Sequence, residues 1–195
     1  YKDGISALGK RIKSISNVIY NGVDPIQNQT KRIKPTINKN ISVLMPARVD
    51  ISKDHYSLLK AFELLPDNYK LSLVGSGTNS KQFISYAKTI APNKHQNISF
   101  HGETSNIKKY YENCDIFVLS SIFEAFPLSI LEAMSYSLPI VVSDVGGNRE
   151  MINHNINGFV VEKSNYKDLY KKLLNLSDIY IRQKLGKEAF KTYKK

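Results

Sequence analysis

Only one cysteine, Cys114, stands in the 195-residue chain, so no internal disulfide can form and a reducing, cytoplasmic setting is expected. No apolar run approaches the roughly 18 residues needed to cross a bilayer. No leader with an apolar segment opens the chain, which begins Tyr1-Lys2-Asp3-Gly4 without an initiator methionine, and a piece of a longer protein is expected. No internal repeat recurs. The four histidines, His55, His95, His101 and His154, lack the spacing of metal ligands, and no Asp-x-Asp occurs, so no metal or other cofactor is expected. The glycines of Val74-Gly75-Ser76-Gly77 have no third member, which excludes a dinucleotide fingerprint.

What is abundant is positive charge, a net +11. Its distribution decides its meaning. Residues 1–40 hold eight Lys/Arg against two acids and residues 163–195 hold ten against three, whereas residues 41–162 hold ten against twelve. A nucleic-acid binder carries its basic stripe on the functional face. Here the excess lies on the flanks, so no nucleic-acid partner is expected. Solvated flank charge is the plain reading; attraction to an anionic membrane surface, at the inner face, is the sharper one.

Apolar content of 42% suits one globular domain. Residues 1–40 read as a linker or hinge segment from a preceding domain, with a polar, basic stretch over 28–40 and a helix ending in a strand over Ile12–Tyr20; residues 41–195 read as the domain itself. From Ile41 onward, short apolar runs alternate with helical patterns, the signature of βα units and a parallel sheet. Strands are predicted near 41–46, 71–75, 97–101, 115–119, 139–143 and 158–161. Helices are predicted near 54–65, 79–91, 105–113, 127–136, 148–153, 166–176 and 178–193. The fold class is α/β, a Rossmann-like parallel sheet flanked by helices.

Two glutamates, Glu124 and Glu132, stand eight positions apart. Glu124 follows the strand run Ile116–Leu119, and Glu132 falls about a turn and a half into a helix opening at Pro127, a residue favoured at the first helical position. Both carboxylates are placed to face the crevice at the carboxyl end of the sheet, where open α/β folds bind ligands. Free N–H groups at that helix start favour an anion. Carboxylates for hydroxyls beside a helix pole for phosphate suit a sugar nucleotide. Arg48 and Lys53 follow the first strand; arginine offers a planar fork to phosphate and lysine a point charge. An ordinary salt bridge from Arg48 to Asp50 explains the arginine alone, and a tight turn explains Gly75 and Gly77 as well as close approach of a ligand does.

The ordered set resembles the retaining GT-B glycosyltransferases, glycosyltransferase family 4. Glu124 to Glu132 is similar to that family's E-x7-E motif, Asn21-Gly22-Val23-Asp24 to its interdomain stretch, and Ala47 through Lys53 to its phosphate clamp. Val74 through Gly77, His101-Gly102 and Asp144 through Glu150 follow in the family's order, so the resemblance covers roughly positions 17–190. It implies the C-terminal, donor-binding half of a GT-B fold. The parent would pass a sugar from a nucleoside-diphosphate sugar to a glycan or lipid-linked acceptor with retention, in bacterial surface polysaccharide synthesis. It implies Arg48, Lys53 and Glu124 as catalytic, and Glu132 as the ribose-diol ligand. Gly75, Gly77, His101, Gly102, Ala125, Phe126, Pro127 and Leu128 would line the donor site. It also implies a partner N-terminal domain supplying the acceptor site, without which this segment would bind donor but turn over poorly. Asp54 and Ala125 stand where the family commonly has glycine. So does Ser137, where local strain or a changed turn is expected. The alternative is a non-catalytic nucleotide-sugar-binding module or partner subunit.

Overall fold

A computed structural model describes residues 40–194; the expectations for Ile12–Tyr20, Asn21–Asp24 and the linker before residue 40 lie outside the described residues. Six strands form one parallel sheet: β1 (Ile41–Pro46), β2 (Tyr69–Val74), β3 (Ile98–Phe100), β4 (Ile116–Leu119), β5 (Ile140–Ser143) and β6 (Phe159–Val161), in the order β3-β2-β1-β4-β5-β6. The chain therefore winds outward from β1 to one edge, crosses back to β4, and winds to the other edge. The switch point is the β1/β4 seam. Those two strands pair only through Val43 with Ile116 and Leu44 with Phe117, whereas β1 and β2 stay in register over their full length.

The helices are α1 (His55–Glu63), α2 (Lys81–Ile90), α3 (Lys108–Asn113), α4 (Leu128–Ser135), α5 (Asn148–Met151), α6 (Tyr166–Asn175) and α7 (Ile179–Tyr193). Every residue of β4, β5 and β6 is buried, which explains their unbroken apolar sequences: both sheet faces are covered there. In α1 the buried positions His55, Leu58, Leu59 and Phe62 recur at helical spacing, giving one apolar stripe for the sheet. Side chains start most of the longer helices. Asp54 accepts from Ser57 N, Ser80 from Phe83 N, Asn165 from Asp168 N and Asp178 from Tyr180 N, each such cap stabilising by about 1 kcal/mol.

One local expectation changes. Pro127 is the N-cap of α4, with extended ψ of 118°, and Leu128 is the first helical residue. Proline suits that position too, since no backbone N–H is needed from the cap. Ser137, by contrast, does carry backbone strain, at φ 55°, where a β-carbon crowds the carbonyl. Asp54 has the same left-handed backbone at φ 47°; its carboxylate ties it down by capping α1 through Oδ1 and accepting from Ser164 Oγ at 2.9 Å through Oδ2.

Candidate functional site

The loops leaving the carboxyl ends of β1 and β4 meet at the seam. Ile122 N donates to Ser52 O at 2.8 Å, and Ser120 Oγ donates to Lys53 O and Asp54 O. This stitching brings Lys53 to Glu124: the ammonium lies 2.6 Å from Oε1, with both side chains largely buried. Ser121 Oγ donates to the same oxygen at 2.6 Å. Oε1 is thus doubly held, and Oε2 accepts no hydrogen bond among the described residues. Arg48 sits on the outer side of the same loop, mostly exposed, with its Nε 3.7 Å from Asp50 Oδ2. An exposed pair at that distance contributes little and leaves the guanidinium's remaining donors available. Asp50 is itself committed to its own turn: hydrogen bonds from Ser52 hold its carboxyl below the usual range.

The glycines bring backbones together around this cluster. Gly75 has φ 140°, and a β-carbon there would lie 2.5 Å from Ala47 C and O, so its bareness lets the β2 loop lie against the β1 loop. Close backbone packing therefore accounts for Gly75 without a ligand. Gly77 continues the contact against Val49. Gly75 N donates to Gly102 O at 2.7 Å and Gly102 N to Thr78 Oγ1 at 2.9 Å, binding the loops after β2 and β3 into one ridge. His101 is exposed on that ridge and packs on Tyr110, ring centroids 4.8 Å apart. Partial burial, and then the Lys109 charge, lower its pKa, so it is neutral around pH 7 and above.

Across the seam, Gly146 carries a function that its sequence position did not suggest. A β-carbon there would stand 1.7 Å from Glu124 O, and one on Gly147 would stand 2.1 Å from Ala125 O; Gly147 N also donates to Ala125 O at 3.0 Å. The β5 loop therefore forms the floor under Glu124 and Ala125. Ala125 takes the glycine's usual place without a positive φ. Behind it, Pro127 starts α4 with no side-chain cap, leaving the first-turn N–H groups of Leu128 and Ser129 for other acceptors. Phe126 is half-buried and Leu128 exposed at this rim.

Glu132 lies on the second turn of α4, half-buried, and its Oε2 accepts from Tyr111 OH at 2.6 Å. Tyr111 and Ser121 were not singled out from sequence. A serine three residues before Glu124 is a local signal that could have been read, but the partner of Glu132 lies 21 residues away. A cavity of about 300 Å³ between Asp144, Arg149 and Glu162 opens beyond β5 and β6. Its arginine is already engaged by Asp144, and it lies to one side of the cluster that joins β1 to β4. Among the described residues no group of three or more His, Cys, Asp or Glu could hold a metal ion, and no helix is long and apolar enough to cross a membrane.

Residues 27–192 match the family described as Glycosyl transferases group 1. A Campylobacter jejuni N,N'-diacetylbacillosaminyl-diphospho-undecaprenol alpha-1,3-N-acetylgalactosaminyltransferase is 35% identical over 154 residues, 78% of this chain and 40% of that protein. The crystal structure of Anabaena HepE in complex with UDP and glucose superposes with a TM-score of 0.80 at 22% identity, covering 97% of this chain and 54% of that one. The C-terminal domain of a glycosyl transferase group 1 protein from Francisella tularensis has a TM-score of 0.70 at 21% identity, covering 89% of this chain and 97% of that one. The chain spans about half the length of the curated relatives it matches.

Proposed function

The chain belongs to the glycosyl transferases group 1, and on that premise we propose that it is the donor-binding half of a retaining GT-B glycosyltransferase of family 4. The reading takes a nucleoside-diphosphate sugar as the donor and a glycan or lipid-linked acceptor, in bacterial surface polysaccharide synthesis. The observation that carries it is the Lys53–Glu124 pair at the β1/β4 seam. An open parallel sheet binds ligands at its switch point. This one presents there a cation, a carboxylate with one oxygen free, and an uncapped helix start.

In this reading the diphosphate lies between Lys53, Arg48 and the first turn of α4. As the bond to the sugar breaks, negative charge grows on the leaving phosphate. Lys53, anchored by Glu124, the exposed guanidinium of Arg48 and a helix pole stabilise that charge, the electrostatic form of catalysis. Glu124 grips hydroxyls of the donor sugar through Oε2, with Oε1 anchored by Lys53 and Ser121. Glu132 takes the ribose diol, and the ridge of Gly75, Gly77, His101 and Gly102 lines the base side. No metal is required, because the cations supply the counter-charge. The acceptor site belongs to a partner N-terminal domain.

Peripheral contact with an anionic membrane face is part of the same proposal. Lys184, Lys187 and Lys191 on α7 and Lys194 just past its end are exposed at helical spacing, with Tyr180 in the same row, so the four lysines form one basic stripe. Each lysine near such a surface contributes about 1 kcal/mol.

Calorimetry with UDP, GDP and ADP tests the donor reading. Saturable binding of one nucleotide is expected, weakened roughly tenfold or more in Glu132→Ala, since a hydrogen bond to a charged group is worth about 1.5–3 kcal/mol. No binding by any of the three would sink it. A non-catalytic module would bind donor and still lack transfer when the partner domain is supplied.

A further inference from the structure

We propose that Tyr111 is the positioning residue of the ribose end of the site. It holds Glu132 by one carboxylate oxygen so that the other is presented, already oriented, to the nucleotide's diol. The inference rests on the reading of Glu132 as the diol ligand.

Tyr111 is buried to 1% exposure, although α3 is only six residues long. Its ring is fixed from two sides. Tyr136, just past α4, stacks on it at 5.3 Å and 8°, and Phe117 of β4 at 6.3 Å and 19°. A ring so clamped has one place for its hydroxyl, and that place is 2.6 Å from Glu132 Oε2. The same hydroxyl lies 3.4 Å from Ser129 O, one turn earlier on α4. Burial drives the phenol's pKa far above its ordinary value, and the Glu132 charge drives it further, so the hydroxyl stays a donor at every working pH.

Glu132 Oε1 accepts no hydrogen bond among the described residues, and it is not sealed from solvent. A glutamate on a helix surface normally loses rotamer freedom when it grips a ligand. Here Tyr111 has removed that freedom in advance, which raises affinity by preorganisation. The helix does a second service. Tyr110, the preceding residue, packs on His101 of the loop after β3. One short helix thus spaces the base-side loop from the ribose carboxylate.

The test is calorimetry on the full chain with UDP, GDP and ADP and their 2′-deoxy forms, for wild type, Tyr111→Phe, Glu132→Gln and the double variant. Tyr111→Phe keeps the stacked ring and removes only the hydroxyl. It is expected to lose about fivefold to tenfold in affinity for the ribonucleotide and clearly less for the deoxy form, which keeps only the 3′-hydroxyl of the diol. In the Glu132→Gln background it should lose under twofold, the sign of two residues acting as one. An unchanged ribo-to-deoxy ratio, or equal loss on both ligands, overturns the inference. If Tyr111→Phe melts too low to assay, 3-fluorotyrosine at position 111 keeps the ring and the hydroxyl and changes only the strength of the donor. The ribo-to-deoxy ratio should then change, and an unchanged ratio again overturns the inference. Wild type binding none of the three nucleotides would instead remove the donor reading itself, so the two failures are distinct.

Discussion

Lys53 and Glu124, 71 residues apart in sequence, meet at 2.6 Å across the seam between β1 and β4. The cation expected for phosphate and the carboxylate expected for sugar are partners before any ligand arrives. A nearly buried pair is costly to break on one side only, because the survivor keeps its charge without its partner. Lys53→Met is therefore expected to destabilise by roughly 2–4 kcal/mol, and Lys53→Met with Glu124→Gln to recover most of that loss. Urea unfolding of both variants checks this; equal stability of single and double variants would contradict it.

Gly146 sets the height of the Glu124 loop. An alanine there would push its β-carbon into Glu124 O from a left-handed backbone at φ 46°. The loop must lift, moving Glu124 away from Lys53. Gly146→Ala is expected to lose affinity for the nucleoside-diphosphate sugar by about tenfold or more while the circular dichroism of the sheet and helices is kept, since misplacing a binding group by about 1 Å costs at least that order. Unchanged affinity would show that the loop yields without consequence.

His55 makes the domain acid-sensitive. It is buried, its Nε2 has no hydrogen-bond partner, and burial pushes its pKa down to about 4. Above pH 6.5 the imidazole is neutral in both folded and unfolded chains, and it adds no pH dependence. As pH falls, the unfolded chain takes up the proton first, so stability drops between pH 6.5 and about 4. The loss from pH 7.5 to 5 should be about 2 kcal/mol, and His55→Gln should lack that slope. Denaturant titrations at the two pH values measure it; equal slopes in both proteins would refute the assignment.

The stripe on α7 predicts salt-sensitive membrane binding. Cosedimentation with vesicles containing anionic phospholipid should fall strongly in Lys184→Glu/Lys187→Glu/Lys191→Glu, and in 0.5 M salt, while neutral vesicles bind neither protein. Binding that ignores both charge and salt would leave the stripe as a solvated face.

Much of the fold was legible because its signals are local. Runs such as Ile116–Leu119 and Ile140–Ser143 are apolar throughout because both faces are covered, and β1 falls on its expected residues. For the candidate site the sequence offered residues in order, and the fold sets two of them, Lys53 and Glu124, side by side. What sequence spacing did not carry is contact between backbones. Gly146 presses on a carbonyl 22 residues earlier, and Tyr111 reaches a carboxylate 21 residues later. Pro127 is compatible with two adjacent positions at a helix start, and only the ψ of 118° distinguishes them.

The short register between β1 and β4 has a mechanical meaning. The strand ladder there is only Val43–Ile116 and Leu44–Phe117; Asp115 N on Ser42 O, the stitched loops above it and the packing of α1 on α6 complete the joint between the two halves. A nucleotide lying across that line would touch both halves at once and act as a staple. Amide exchange in β1 and β4 would then slow on binding more than exchange at β3 or β6, so the seam that makes room for the ligand would also be the part most stiffened by it.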